Sequence, residues 1–181
     1  MSVGTQMTVE VFDQIATRAE NADRRLEYVG GGIVEVVSNN YASAVAARIL
    51  VKIGSYVEAH GLGYVTGADG GYRVSGERYI PDVAFISTAK QPEPSREAYN
   101  PQPPDLAVEV LSPTDSADVV RLKVANYLAA GTLVWLVDPD AKTVEVYRPG
   151  RPARRLTGSE MLDGDAVLPG FTLAVGDLFP V

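Results

Sequence analysis

Three ionisable residues stand in apolar surroundings: Asp82 within Tyr79–Ser87 (YIPDVAFIS), Glu109 within Asp105–Leu111 (DLAVEVL), and Lys123 in the segment after Ser112-Pro113. In a strand, Leu106, Val108 and Val110 share one side, and Ala107, Glu109 and Leu111 share the other. A run apolar on both faces reads as a central, buried strand. A lone carboxylate there costs several kcal/mol unless a cation, a metal or a proton compensates it. Glu109 therefore needs a partner. Two carboxylates on adjacent strands could hold Mg²⁺ or Mn²⁺, which take oxygen ligands and keep several waters. Water on such an ion has a lowered pKa and can attack a phosphodiester, while a nearby lysine positions it, helps deprotonate it or offsets developing charge. The alternative is a structural acid pair, or a salt bridge with Lys123, in a core that binds no metal.

Composition limits the other chemistries. The chain has 181 residues, no cysteine and one histidine, His60. Disulfides, thiolate zinc sites and cysteine nucleophiles are excluded, and neither a poly-histidine metal site nor a Ser-His-Asp triad is expected. Apolar content of 46% and charged content of 22% fit an ordinary globular chain, expected as one domain over 1–181. No apolar run reaches membrane-spanning length, and MSVGTQMTVEVFDQ has neither basic leader nor apolar core, so a cytoplasmic protein without membrane partners is expected. The net charge of −7 argues against a generic nucleic-acid coat, though a bound metal or a local basic strip can oppose that field.

The spacing predicts elements that would bring the three residues together. Helices are expected from Thr8 to Arg24, from Tyr41 to His60, and from a Thr114/Asp115 cap to Ala130. Leu26–Val29 and Ile33–Val37 read as a hairpin turning through Gly30-Gly31-Gly32, followed by short strands at Gly63–Thr66 and Tyr72–Ser75. Tyr79–Ser87 reads as one strand. Ala89–Pro104, long and proline-rich, reads as a flap or mobile loop. If the strands on either side of it pair antiparallel, Asp82 falls opposite Glu109, where side chains on one face sit about 4.5–5.5 Å apart. Thr132–Val137 should lie parallel to the Glu109 strand, Lys142–Arg148 at an edge, and the tail to Val181 over the sheet as short strands.

Asp115 and Asp118 read as charges at a helix start, Tyr127 and Trp135 as core, and His60 as a helix end. Arg148, Arg151, Arg154 and Arg155 read as a solvated basic loop. Gly67-Ala68-Asp69-Gly70-Gly71 matches no phosphate-binding loop.

Pro81-Asp82, Glu109 in a strand and a following lysine resemble the PD-(D/E)XK nuclease superfamily. RLEYVGGGIVEV, YIPDVAFIS, PPDLAVEVLSPTDSADVVRLKVANYLAAGTLVWLVDP and LPGFTLAV resemble one branch of it, bacterial restriction-endonuclease-like domains of unknown function. The resemblance spans most of the chain. It implies an α/β, restriction-endonuclease-like fold with a mixed central sheet flanked by helices, and Asp82 and Glu109 as metal ligands. The superfamily's lysine position is Leu111 here; in the branch the lysine stands on the next helix, where Lys123 matches it. A glutamate common after the first hairpin strand is Gly32, and a histidine common at the next helix start is Asn40 or Tyr41. Glu27 and Glu35 remain as possible outer ligands from the hairpin.

The expectation is a Mg²⁺- or Mn²⁺-dependent endonuclease hydrolysing DNA, with Asp82, Glu109 and Lys123 catalytic and a homodimer as a possible assembly. The rival is a catalytically inactive nuclease-fold module for nucleic-acid binding or oligomerisation. A third reading is a carboxylate-based hydrolase of small nucleotides.

Overall fold

The computed structural model describes residues 7–180. Helices α1 (Val9–Ala16), α2 (Asn40–His60) and α3 (Ala117–Ala129) accompany thirteen strands. The strands are β1 (Leu26–Val29), β2 (Gly32–Glu35), β3 (Gly63–Thr66), β4 (Gly71–Val74), β5 (Glu77–Tyr79), β6 (Val83–Ser87) and β7 (Tyr99–Asn100). They continue as β8 (Leu106–Val110), β9 (Leu133–Asp138), β10 (Thr143–Tyr147), β11 (Arg154–Thr157), β12 (Met161–Gly164) and β13 (Leu168–Ala174). They form a six-stranded sheet ordered β11-β10-β9-β8-β6-β3, a five-stranded sheet ordered β2-β1-β5-β4-β7, and the β12-β13 pair. The six-stranded sheet is mixed: β8 and β9 run parallel around α3, and its other pairs are antiparallel. The architecture is mixed α/β, as expected.

Period-two alternation decides what each face of the six-stranded sheet meets. Val83, Phe85, Leu106, Val108, Val110, Leu133, Trp135 and Val137 pack against the apolar stripe of α2, chiefly Val45, Ile49, Ile53 and Val57. Ala84, Ala107 and Val134 on the opposite face meet Val124 and Tyr127 of α3 and Val29, Tyr72, Val74 and Tyr79 of the five-stranded sheet. Small residues on that second face admit the tyrosines and leave room beside them. Glu109 shares that face with Ala107.

Several expected elements differ in extent. The first helix stops at Ala16: Thr17 caps it, Arg18 turns to extended backbone, and a 3₁₀ turn at Ala19–Asn21 then leads into β1. Tyr79–Ser87 is two strands in two sheets. Pro81 lacks an N–H and restricts Ile80 to extended backbone, so the ladder cannot continue through them. The Ile80 N–H donates to Glu27 Oε1 at 2.6 Å instead of to a strand. The third helix starts at Ala117, since Asp115 turns back to accept from the Ser112 N–H at 2.6 Å and closes a turn before it. Lys142–Arg148 is internal as β10, and the edge is β11. The hairpin turn is Gly30-Gly31, both at positive φ (59° and 87°), the backbone that a two-residue turn needs.

Ala89–Pro104 is anchored rather than free. Within it β7 pairs parallel with β4, and the Tyr99 hydroxyl donates to the Leu26 carbonyl at 2.6 Å. Gly71 permits this approach: a Cβ there would lie 2.6 Å from the Ala98 carbonyl oxygen. Gly71→Ala is expected to destabilise the fold by about 1–3 kcal/mol, through forced displacement of β7. Urea denaturation checks this, and a cost below ~0.5 kcal/mol would show that β7 moves freely. The tail forms β12 and β13, but from Val175 to Leu178 it is a 3₁₀ helix where strand was expected, while Val181 and the first six residues lie outside the described residues.

Candidate functional site

The chain crosses from the five-stranded to the six-stranded sheet at Ile80-Pro81-Asp82, and the polar cluster sits at that junction. Val83 faces Val108 and Ala84 faces Ala107, so Asp82 and Glu109 occupy the next position on the Ala84/Ala107 face. Asp82 Oδ2 accepts from the Val110 N–H at 2.7 Å, which ties it to β8 one residue beyond Glu109. Both carboxylates line one cavity of about 510 Å³.

Lys123 enters from α3. It is the seventh helical residue, and its Nζ donates to Glu109 Oε2 at 2.8 Å and to Glu27 at 2.9 and 3.2 Å. Glu27 comes from β1, only 2% exposed, with Oε1 shared between Lys123 and the Ile80 N–H. One glutamate thus ties together the helix, the first sheet and the residue that leads into Pro81-Asp82. The Tyr79 ring lies under the ammonium, 5.5 Å from Nζ to centroid.

The surroundings set the protonation states. Burial pushes the Glu109 carboxyl up to about 8; Lys123 pulls it down, while Glu27 and Asp82 push it further up. Burial also raises Asp82, against the Val110 N–H and Lys123, with Asp115 and Glu27 raising it again. Burial opposes the charge on Lys123, but Glu109 and Glu27 outweigh it and hold the ammonium above its ordinary range. Lys123 thus stands as a cation paired with two carboxyl groups.

This sets a pH dependence. Between the ordinary glutamate range and about 8, the folded protein keeps a proton on Glu109 that the unfolded chain has released. Stability should then fall as pH rises through that window, by at most about 1.4 kcal/mol per pH unit for one proton. The raised Asp82 adds in the same sense. Thermal denaturation without divalent ions from pH 5 to 8 should show a falling Tm for the wild type and a flatter line for Glu109→Gln. Parallel lines would remove Glu109 as the origin.

The other expected site residues fall as follows. Glu35 lines the cavity mouth, yet its carboxylate is bonded to Arg24 at 2.7 Å in solvent. Leu111 lines the cavity without polar chemistry. Gly32 pairs with Val29, and Asn40 and Tyr41 start α2; none of the three lines the cavity. Arg148 is not a solvated basic group: it pairs with Asp163 and Asp165 at 2.9 and 2.6 Å. His60 ends α2, stacked on Tyr56.

Tyr127, expected as core, is buried as expected but also makes a polar contact that the apolar pattern does not signal: its hydroxyl donates to Glu109 Oε1 at 2.9 Å. The available signal was spacing, since Lys123 and Tyr127 are four apart and share one helix face. The role of Asn126, which donates to the Tyr79 hydroxyl at 2.7 Å, has no comparable signal.

The donor set fits a hard divalent cation. Glu27, Glu35, Asp82, Glu109 and Asp115 line the cavity against one cation, Lys123, and a concave acidic lining concentrates cations. Among the described residues no three His, Cys, Asp or Glu side chains form a metal cage. Two carboxylates with water and substrate oxygens are, however, the habit of Mg²⁺.

Among the described residues no helix is long and apolar enough to cross a membrane. No curated protein matches the chain. A crystal structure from Anabaena variabilis ATCC 29413, titled as a "putative nuclease belonging to DUF820", superposes with a TM-score of 0.78 at 23% identity, over 87% of this chain and 91% of that one. That likeness shows a shared fold. Residues 9–176 match the family Uma2, described as "putative restriction endonuclease", and the chain belongs to that family.

Proposed function

We propose that the protein is a divalent-metal-dependent endonuclease that hydrolyses DNA phosphodiester bonds. The observation that carries this reading is the adjacency of Asp82 and Glu109 on one sheet face, in an acidic cavity whose one cation is already paired. Asp82 and Glu109 would hold Mg²⁺ or Mn²⁺. The ion, when bound, supplies a lowered-pKa water and neutralises phosphoryl oxygens. The chain's own contribution is positional. The Val110 N–H holds Asp82, Lys123 and Tyr127 hold Glu109, and Glu27 holds Lys123. A fixed ammonium also offsets negative charge that develops beside it. A double-strand cut calls for two such centres, so a homodimer belongs to this reading.

The test is incubation of purified protein with supercoiled, linear and single-stranded DNA, with Mg²⁺, with Mn²⁺ and with chelator. Metal-dependent cleavage that tracks the protein through purification supports the reading. No cleavage on any substrate, together with no Mn²⁺ binding by calorimetry, overturns it.

A second reading rests on the cavity walls. Val34, Val36, Val37, Leu111, Val119 and Val120 are aliphatic, and among the described residues Lys123 is the one basic residue lining the cavity. A continuous phosphate backbone usually meets several cations. Small nucleotides as substrates suit such a cavity better, and hydrolysis of nucleotides but not of DNA would select this reading.

A further inference from the structure

Glu109 is held at both oxygens by two different donors from one helix. Lys123 Nζ donates to Oε2 at 2.8 Å, and the Tyr127 hydroxyl donates to Oε1 at 2.9 Å. The two donors are four residues apart on α3, so one helix face presents both to the same carboxylate. A carboxylate pinned at one oxygen still swings about its last torsion; pinned at both, its plane is fixed. Each oxygen has two lone pairs, so two of roughly four acceptor sites remain.

Packing alone does not account for the hydroxyl. The Tyr127 side chain is fully buried, with its ring tilted against Tyr79 at 5.3 Å between centroids. Phenylalanine would fill that space equally well. A buried hydroxyl brings a desolvation cost, so its presence calls for a partner, and the partner is a carboxylate lining the cavity.

We propose that Tyr127 is a positioning residue: by donating to Glu109 Oε1 while Lys123 donates to Oε2, it fixes the Glu109 carboxylate with its remaining lone pairs available to a divalent cation shared with Asp82. This rests on the reading that Asp82 and Glu109 hold such an ion. A partner that orients a metal ligand typically changes affinity or activity by about 10–100-fold when removed.

The experiment is Mn²⁺ titration by calorimetry on the wild type, Tyr127→Phe and Tyr72→Phe. Tyr72 is an equally buried tyrosine of the same layer, whose hydroxyl meets Thr66 Oγ1 at 2.9 Å and does not line the cavity. Tyr127→Phe is expected to weaken Mn²⁺ binding about 10–100-fold while Tyr72→Phe stays within about twofold of wild type. With cleavage as a second readout, the Mn²⁺ concentration for half-activation should rise by the same factor, with kcat at saturating Mn²⁺ nearly preserved. Wild-type binding together with unchanged affinity in Tyr127→Phe overturns the role of Tyr127 alone. Absence of binding in the wild type overturns the metal-site reading and this role together. Equal weakening in both variants also overturns it, since the effect would then be general loosening of the layer.

Discussion

Asp82→Ala and Glu109→Ala are each expected to lower metal-dependent cleavage by about 10³-fold or more, roughly 4 kcal/mol of transition-state stabilisation. The two carboxylates face the cavity side by side, and the other acids lining it are engaged elsewhere: Glu27 with Lys123 and the Ile80 N–H, Glu35 with Arg24, Asp115 with the Ser112 N–H. The informative companions are Asp82→Asn and Glu109→Gln, which keep the shape and remove the charge. Both acids are raised by burial, so in the metal-free protein their ionised forms work against folding. At pH 8, Glu109→Gln should leave the Tm measured without divalent ions unchanged or raised, while cleavage in the presence of Mg²⁺ or Mn²⁺ is lost. A residue that costs stability yet is needed for activity is the signature of a functional site. If Glu109→Gln lowered Tm by many degrees while cleavage persisted, Glu109 would be a structural acid.

Above pH 8, where Glu109 is ionised, Lys123→Met should be the most destabilising single change in the cluster, by about 3–5 kcal/mol, because it leaves two buried carboxylates without their cation. Nζ touches both Glu27 and Glu109, and the lysine is only 7% exposed, so solvent cannot replace it. Burying the longer stem of arginine would not restore the geometry, since a planar fork cannot replace a compact ammonium at two divergent carboxylates. The double variant Glu27→Gln/Lys123→Met should lose clearly less than the sum of its parts, as one of the stranded charges is gone. Urea unfolding of the two single variants and the double variant measures this coupling. A Lys123→Met cost below about 1 kcal/mol would falsify the view that this ammonium holds the sheet junction together.

The pattern of apolar residues was enough for most elements. The alternation in DLAVEVL put Glu109 on the face opposite Leu106 and Val108, as observed, and the apolar recurrence at Val45, Ile49, Ile53 and Val57 marked α2. The antiparallel pairing that sets Asp82 beside Glu109 entered only as a condition, since a connection as long as that from Ser87 to Leu106 permits parallel and antiparallel neighbours alike. Boundaries were less accessible. Pro81 is a local sign that the ladder breaks within YIPDVAFIS, but nothing local shows that the two halves join different sheets; the Ile80 N–H finds its acceptor on a glutamate 53 residues earlier. The anchoring of Tyr99 in the five-stranded sheet likewise rests on Gly71, remote in sequence.

Charge and patterning within the chain therefore determined that a carboxylate lay in an apolar strand and that something had to compensate it. Which groups compensate was decided only in three dimensions. Lys123 is shared with Glu27, Tyr127 turns its hydroxyl onto Glu109, and Glu35 is spent on Arg24 at the surface. The physical reason is range: alternation and helical period act between neighbours along the chain, whereas a hydrogen bond across 96 residues, such as Lys123 to Glu27, exists only once two sheets and a helix have packed.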